Sequence, residues 1–256
     1  MFNWSALTLL LYIVMRMSGF VIFSPIFGRV GVSIYVQAAF ALLLSVVVYS
    51  MYEGTAAVPD TLLEFSVRLF LEMGMGLLIS MVMRLFFFLP EQAGEIIDMQ
   101  MGMSMGRSYD PTSGTNATVT ANLLNLLTLL LFFTAGGHIT LLRLMMTSGE
   151  IVPYGTAAIG SMAASRIVEL FAECTLLSVK LSFPILGAEL LGQVGMGILM
   201  KAIPQINVFA INIELKVIVG MGMLLLLLSP MSEFLLEAES MMLGAIRDMI
   251  PLAVGG

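Results

Sequence analysis

The sequence predicts an all-α, membrane-associated protein built from kinked helical hairpins. Three observations carry this. Of its 256 residues, 59% are hydrophobic and 11% charged, and mean hydropathy is +1.02, whereas soluble domains carry about 25% charged residues. The apolar residues gather in six long stretches, about Leu7–Phe23, Val36–Tyr52, Leu62–Leu89, Ala121–Met146, Ile167–Leu199 and Phe209–Leu228. These stretches are interrupted by Pro184 and by Gly136-Gly137, and the last two are separated by Pro204; no alternation of strands and helices is legible.

Met1 to Ala6 carry no Lys or Arg, and no small-x-small site follows the first apolar run. Leu7–Phe23 is therefore expected as a retained helix rather than a cleaved signal. It contains Arg16. The first two stretches are short for a span of about 20 apolar residues, and the third is long. Along the third, Glu64, Arg68, Glu72, Gly76, Ser80 and Arg84 recur every four residues. This spacing places them on one helix face, pairing Glu64 with Arg68 and Arg68 with Glu72. Charges at membrane depth face a bundle interior or water. The stripe Glu64, Arg68, Glu72 and Arg84, with Glu169 and Glu173 on the fifth stretch, is expected to bind neighbouring subunits; interhelical bridges or a wet path are its two uses.

Between the third and fourth stretches lies Gly94–Gly114, the most distinctive segment of the chain. As a helix it would place Met99 and Met103 on one side, Met101 and Met105 on the other, and Gly102 and Gly106 between them. Glycine faces permit close backbone approach, and methionine fills irregular gaps with a flexible, polarizable side chain. Arg107, Ser108, Tyr109, Asp110 and Pro111 follow, with Asp110-Pro111 and Ser113-Gly114 as turn signals that stop a helix near here. The segment is either a deformable closure or a loop joining two helices.

The fourth stretch is broken at Gly136-Gly137-His138. On the fifth, Glu169, Glu173 and Lys180 add charge, continued by Glu189 and Gln193 past Pro184. Pro204, Gln205, Asn207 and Phe209 then mark the tip of a helical hairpin, where polar side chains satisfy freed backbone groups. Ser229-Pro230 reads as an N-cap and first helical position. From there to Ile250 a stripe of Leu235, Ala238, Met242, Ala245 and Met249 predicts an amphipathic helix for a partner or an interface. Gly74-Met75-Gly76, Gly195-Met196-Gly197 and Gly220-Met221-Gly222 lack the third glycine of a dinucleotide fingerprint and read as tight helix-packing spots.

Composition excludes several functions. Net charge is −6, which gives no basic surface for nucleic acid. Cys174 is the single cysteine and His138 the single histidine, so no disulfide, metal centre or cofactor is expected. Gly102–Gly106 matches Gly-x-Ser-x-Gly around Ser104, with Asp110 and His138 in hydrolase order, but the strand-to-helix context of that motif is missing. Lys and Arg are scattered over nearly every connection, so charge does not orient the helices as simple alternating spans.

Several motifs together resemble the FliR/SctT family of export-gate membrane proteins. They are Gln100 with Gly102, Asp110-Pro111, Gly137-His138, Ser148 with Pro153, Pro184, and Pro204-Gln205-Ile206-Asn207-Val208-Phe209 followed by Leu215-Lys216. They occur in the family's order from about 90 to 220. The resemblance implies that residues 1–165 are FliP-like and carry the gate segment 94–114. It implies that they are fused to a FliQ-like hairpin over residues 166–256, with the amphipathic helix at its end. It implies a single copy assembled with several FliP-like and FliQ-like subunits, alongside FlhB-like and FlhA-like export proteins, with lipid around them. The setting is the bacterial inner membrane at the flagellar basal body. The function implied is not enzymatic: the chain helps build and close the channel through which unfolded flagellar proteins leave. A small-solute secondary transporter is the alternative, distinguished by inverted repeats, and an intramembrane serine protease the third reading. Two departures stand out: the methionine density from Met99 to Met105, and Met200-Lys201, where the family usually has arginine.

Overall fold

A computed structural model describes residues 4–28, 31–56, 58–103, 108–110, 115–202 and 208–253. Among these, eight helices run in the order α1 (Trp4–Phe23), α2 (Ile34–Met51), α3 (Leu62–Met101), α4 (Val119–Thr134), α5 (Gly137–Ile151), α6 (Ser161–Ala202), α7 (Val208–Leu226) and α8 (Leu228–Leu252). Two three-residue strands, β1 (Ser108–Asp110) and β2 (Thr115–Ala117), lie between α3 and α4. The expected all-helical class holds. Among the described residues, α1, α2, α3 and α6 are each long and apolar enough to cross a membrane.

Several boundaries differ from the sequence reading. α3 runs on past Leu89, through Pro90 and a polar turn, to Met101. Pro90 and Pro184 both sit inside continuous helices, where each removes one backbone hydrogen bond without ending the helix. The fourth stretch divides at Gly136, whose φ of +77° is the left-handed conformation that glycine adopts freely. α8 begins at Leu228 rather than behind a Ser229 cap, so Pro230 falls within the first turn, where its missing N–H has no helical acceptor to serve.

The chain divides into two compact units. The first comprises 1–86, 136–171 and 239–256. Its core includes Ile13, Met17 and Phe20 of α1, Ile79 and Val82 of α3, Leu141 of α5 and Ile246 and Ile250 of α8, all buried. α1 and α3 approach closely: a Cβ on Gly19 would overlap the Met73 carbonyl, and one on Gly76 would overlap the Arg16 carbonyl and lie 2.6 Å from the Phe20 nitrogen. Gly76 thus fulfils the packing role expected of it.

The second unit comprises 87–135 and 172–238. Its core joins Leu89, Ala93, Ile97 and Met101 of α3 with Leu124 of α4, Leu181 and Ile185 of α6, Leu224 of α7 and Leu235 of α8. The other Gly-Met-Gly repeats are mixed. A Cβ on Gly220 would overlap the Met101 thioether, whereas one on Gly195, Gly197 or Gly222 would meet nothing within 4 Å among the described residues. The α8 stripe is also not held in reserve for a partner: Leu235, Ala238, Met242, Ala245 and Met249 are all buried within the chain, while Glu233, Glu237 and Asp248 are exposed.

Candidate functional site

The i+4 stripe on α3 turns inward. Glu72 and Arg16 are both fully buried and form an ion pair, Nε to Oε2, at 2.6 Å. The other Glu72 oxygen accepts from the Gly155 backbone N–H at 2.7 Å. Arg16 also donates to the Val152 carbonyl through both terminal nitrogens at 3.1 Å and to Ser148 Oγ at 3.3 Å. Its guanidinium lies 4.2 Å from the centre of the Tyr154 ring. Burial pushes the Tyr154 phenol up to about 12, despite the pull of Arg16, so the ring stays neutral beneath the cation. Further along α3, Ser80 Oγ donates to the Phe20 carbonyl at 2.7 Å and Arg84 Nε to the Phe23 carbonyl at 2.6 Å. These are among the last four carbonyls of α1, which have no acceptor role within that helix.

The stripe therefore corrects one expectation. Glu72 serves α1 and its neighbours in the same unit, while Arg84 bonds to α1 and is itself exposed. The expected Glu64–Arg68 pair forms at 2.5 Å, but Glu72 is taken by Arg16 and Gly155 instead of Arg68. On α6 the outcome is different: Glu169 and Glu173 are exposed, with Glu169 3.0 Å from Arg166.

The gate segment belongs to the second unit, and its base is tightly built. α3 ends at Met101, and Gly102 follows with φ +78°, so the turn out of the helix needs a residue without a Cβ. Met99 is 75% exposed and Met101 0%, the opposite faces that helical spacing places them on. Met103 lies beyond the helix end and packs, half-buried, against the core that holds Met101. β1 and β2 then pair antiparallel, Ser108 with Ala117, Tyr109 with Asn116 and Asp110 with Thr115. Met105, Gly106, Arg107, Pro111 and Ser104 lie outside the described residues, as do Pro204, Gln205 and Asn207 at the expected hairpin tip. Tyr109, Asp110 and Phe209 are described in backbone only. α6 ends at Ala202 and α7 begins at Val208, bracketing that tip.

Two contacts close the base of the segment. The buried Asp98 carboxylate, one turn before the end of α3, accepts from the Thr120 N–H at 2.8 Å and from Thr120 Oγ1 at 2.6 Å. Thr118 at the start of α4 makes no side-chain cap of its own. Asp98 supplies the missing cap from α3, an anion at the positive end of α4. One turn earlier, Gly94 lies so close to α4 that a Cβ would overlap the Ala121 backbone. The end of α3 and the start of α4 are thus bolted together, and β1 and β2 between them form a short ribbon. Sequence reasoning passed over Asp98; the available signal was an ionisable side chain in a helix of membrane-spanning length, which is costly unless it does something.

A family model described as "Bacterial export proteins, family 1" matches residues 7–241, spanning both units and the gate segment. The chain belongs to this family. Curated relatives agree. The flagellar biosynthetic protein FliR of Escherichia coli K12 is 31% identical over 180 residues, 69% of each chain. That of Caulobacter vibrioides is 28% identical over 84% of this chain and 86% of its own. The surface presentation of antigens protein SpaR of Shigella flexneri is 31% identical over 58% of this chain and 57% of its own. Family membership bears out the export-apparatus subunit expected from the motifs, and the long apolar helices accord with the expected place in the bacterial inner membrane.

Proposed function

We propose that this chain of the bacterial export family is a non-enzymatic subunit of a flagellar type III export gate, and that residues 94–114 help hold its channel shut. The observation that supports this most is the clamped loop. A protein-wide pore must not leak ions when idle, and a narrowing of flexible apolar side chains excludes water yet yields to a passing polypeptide. The Asp98–Thr120 bond holds the helices that flank the segment, and Gly102 turns the chain out of α3 into it. Met99, Met103 and Met105 would furnish the apolar closure, with the buried Met101 anchoring it from the core. Gly102 and Gly106 would supply its bends, and Arg107, Tyr109, Asp110 and Pro111 a polar plug beside it.

The partners in this reading are FliP-like and FliQ-like subunits, with FlhB-like and FlhA-like proteins at the gate and unfolded export substrates as passengers. Residues 1–165 would serve as the FliP-like element and residues 166–256 as the FliQ-like one. The exposed Glu169 and Glu173 are the carboxylates placed to meet a neighbouring subunit, and Pro204, Gln205, Asn207 and Phe209 are the expected docking tip. Cysteines placed at Gln205 and Asn207 should crosslink to another chain of the assembled complex; if neither ever does, the tip is only a turn.

The reading is tested by deleting 106–114, which leaves the Asp98–Thr120 clamp in place. The complex should assemble in normal amounts and conduct small ions in membrane vesicles. Replacing Met101, Met103 and Met105 with serine should leak less severely. An assembled deletion variant as ion-tight as the parent would reduce the segment to a connecting loop.

A further inference from the structure

The hinge of the gate segment rests on a helix far away in the sequence. Met101, the last residue of α3, is fully buried, and the backbone N–H of Gly102 beside it bonds back to the Met99 carbonyl at 3.2 Å. The Met101 thioether occupies the space a side chain on Gly220 of α7 would fill: a Cβ there would overlap Met101 Sδ and lie 2.5 Å from its Cγ. The same Cβ would be 3.1 Å from Glu189 Oε1 of α6, and Glu189 is 2% exposed. Met101 is packed in a core with Ile97, Leu124 and Leu224, so a methyl group on Gly220 must displace a side chain in a filled interior.

We propose that Gly220 is a positioning residue for the gate. Its bare backbone seats Met101, and the seated methionine fixes the direction in which the chain leaves α3 at Gly102. This deepens, and rests on, the reading of 94–114 as a closure. Gly222, one residue pair along α7, provides an internal comparison, since a Cβ there meets nothing within 4 Å. Both glycines gain similar helix propensity from alanine, so a difference between them reports the seat and not the helix.

The test uses the assembled export complex with Cys174→Ala, and Met103→Cys as a reporter on the hinge. Gly220→Ala should speed maleimide labelling at position 103 several-fold and, without the reporter, raise ion leak several-fold at unchanged assembly. Met101→Ala empties the seat and should raise both readouts by itself, and adding Gly220→Ala to it should raise neither further. Gly222→Ala should change neither. Labelling unaltered by Gly220→Ala, equal acceleration by Gly222→Ala, or a further rise when Gly220→Ala is added to Met101→Ala each overturns the seat. The deletion of 106–114, measured in parallel, separates the two ideas. If it stays ion-tight the closure reading falls, while labelling still decides whether Gly220 seats Met101.

Discussion

Replacing Arg16 with methionine should be among the most damaging single changes in the chain. The substitution strips Glu72 of its cation while leaving it fully buried, with only the Gly155 N–H still donating to it. Breaking a buried pair from one side costs about 3–5 kcal/mol, because the remaining charge is uncompensated. Glu72→Gln should cost a comparable amount for a different reason: its amide can still accept from Gly155, but its NH2 would face a guanidinium that has nothing to accept with. Arg16→Met combined with Glu72→Gln removes both charges and should be less harmful than the two single losses added together. Thermal unfolding of the purified complex in detergent, followed by protease sensitivity of the first unit, gives the four corners of this cycle. Strictly additive losses would mean that the pair is not a coupled unit.

The second large effect is expected at Asp98. Asp98→Leu leaves the Thr120 N–H and hydroxyl buried without an acceptor, a loss of about 1–3 kcal/mol for each group so stranded. It also removes the side chain that caps the start of α4 in place of Thr118. Thr120→Val is milder, since the backbone N–H keeps its carboxylate. Asp98→Asn is milder still, because the amide oxygen can accept one of the two bonds. The ion leak of the assembled gate should rise in that order, Asn, Val, Leu, with the loop itself intact. If Asp98→Leu assembles, stays ion-tight and unfolds at the parental temperature, the clamp contributes nothing and the loop is held elsewhere.

Much of the architecture was legible because burial in an apolar chain is written as long runs. α1 and α2 match their runs within three residues at either end. The continuation of α3 to Met101 was not, since Pro90, Glu91, Gln92, Glu95 and Asp98 dilute the apolar signal where the helix carries on. The charge stripe shows the general limit. Spacing by four proved that Glu64 to Arg84 share a face, but nothing local says which element meets that face. Its true complement was a single Arg16 and the last carbonyls of α1, whose backbone groups leave no trace in composition. The same limit made the α8 stripe look available to a partner when it is already buried. Within the gate segment, Gly102 and Gly106 were equal candidates for a bend; Gly102 has the positive φ of a turn, and Gly106 lies outside the described residues. The short strands carry no β-rich run; Ser-Tyr-Asp and Thr-Asn-Ala pair because the ends of their loop are fastened, which is a tertiary cause.

The Arg16 network also sets a timetable for biogenesis. Its anion lies 56 residues downstream, and the Val152 carbonyl that completes its coordination lies 136 residues downstream. While the ribosome is still translating the intervening chain, α1 carries a guanidinium whose carboxylate has yet to emerge. An arginine at the centre of a newly inserted helix costs about 2.5–3.5 kcal/mol on the insertion scale, enough to make insertion of that segment reversible. A helix synthesised early is thus among the last to be committed. Its bonding is complete only once Glu72 and then the α5–α6 connection have arrived, so the placement of the first helix depends on chain made after the midpoint.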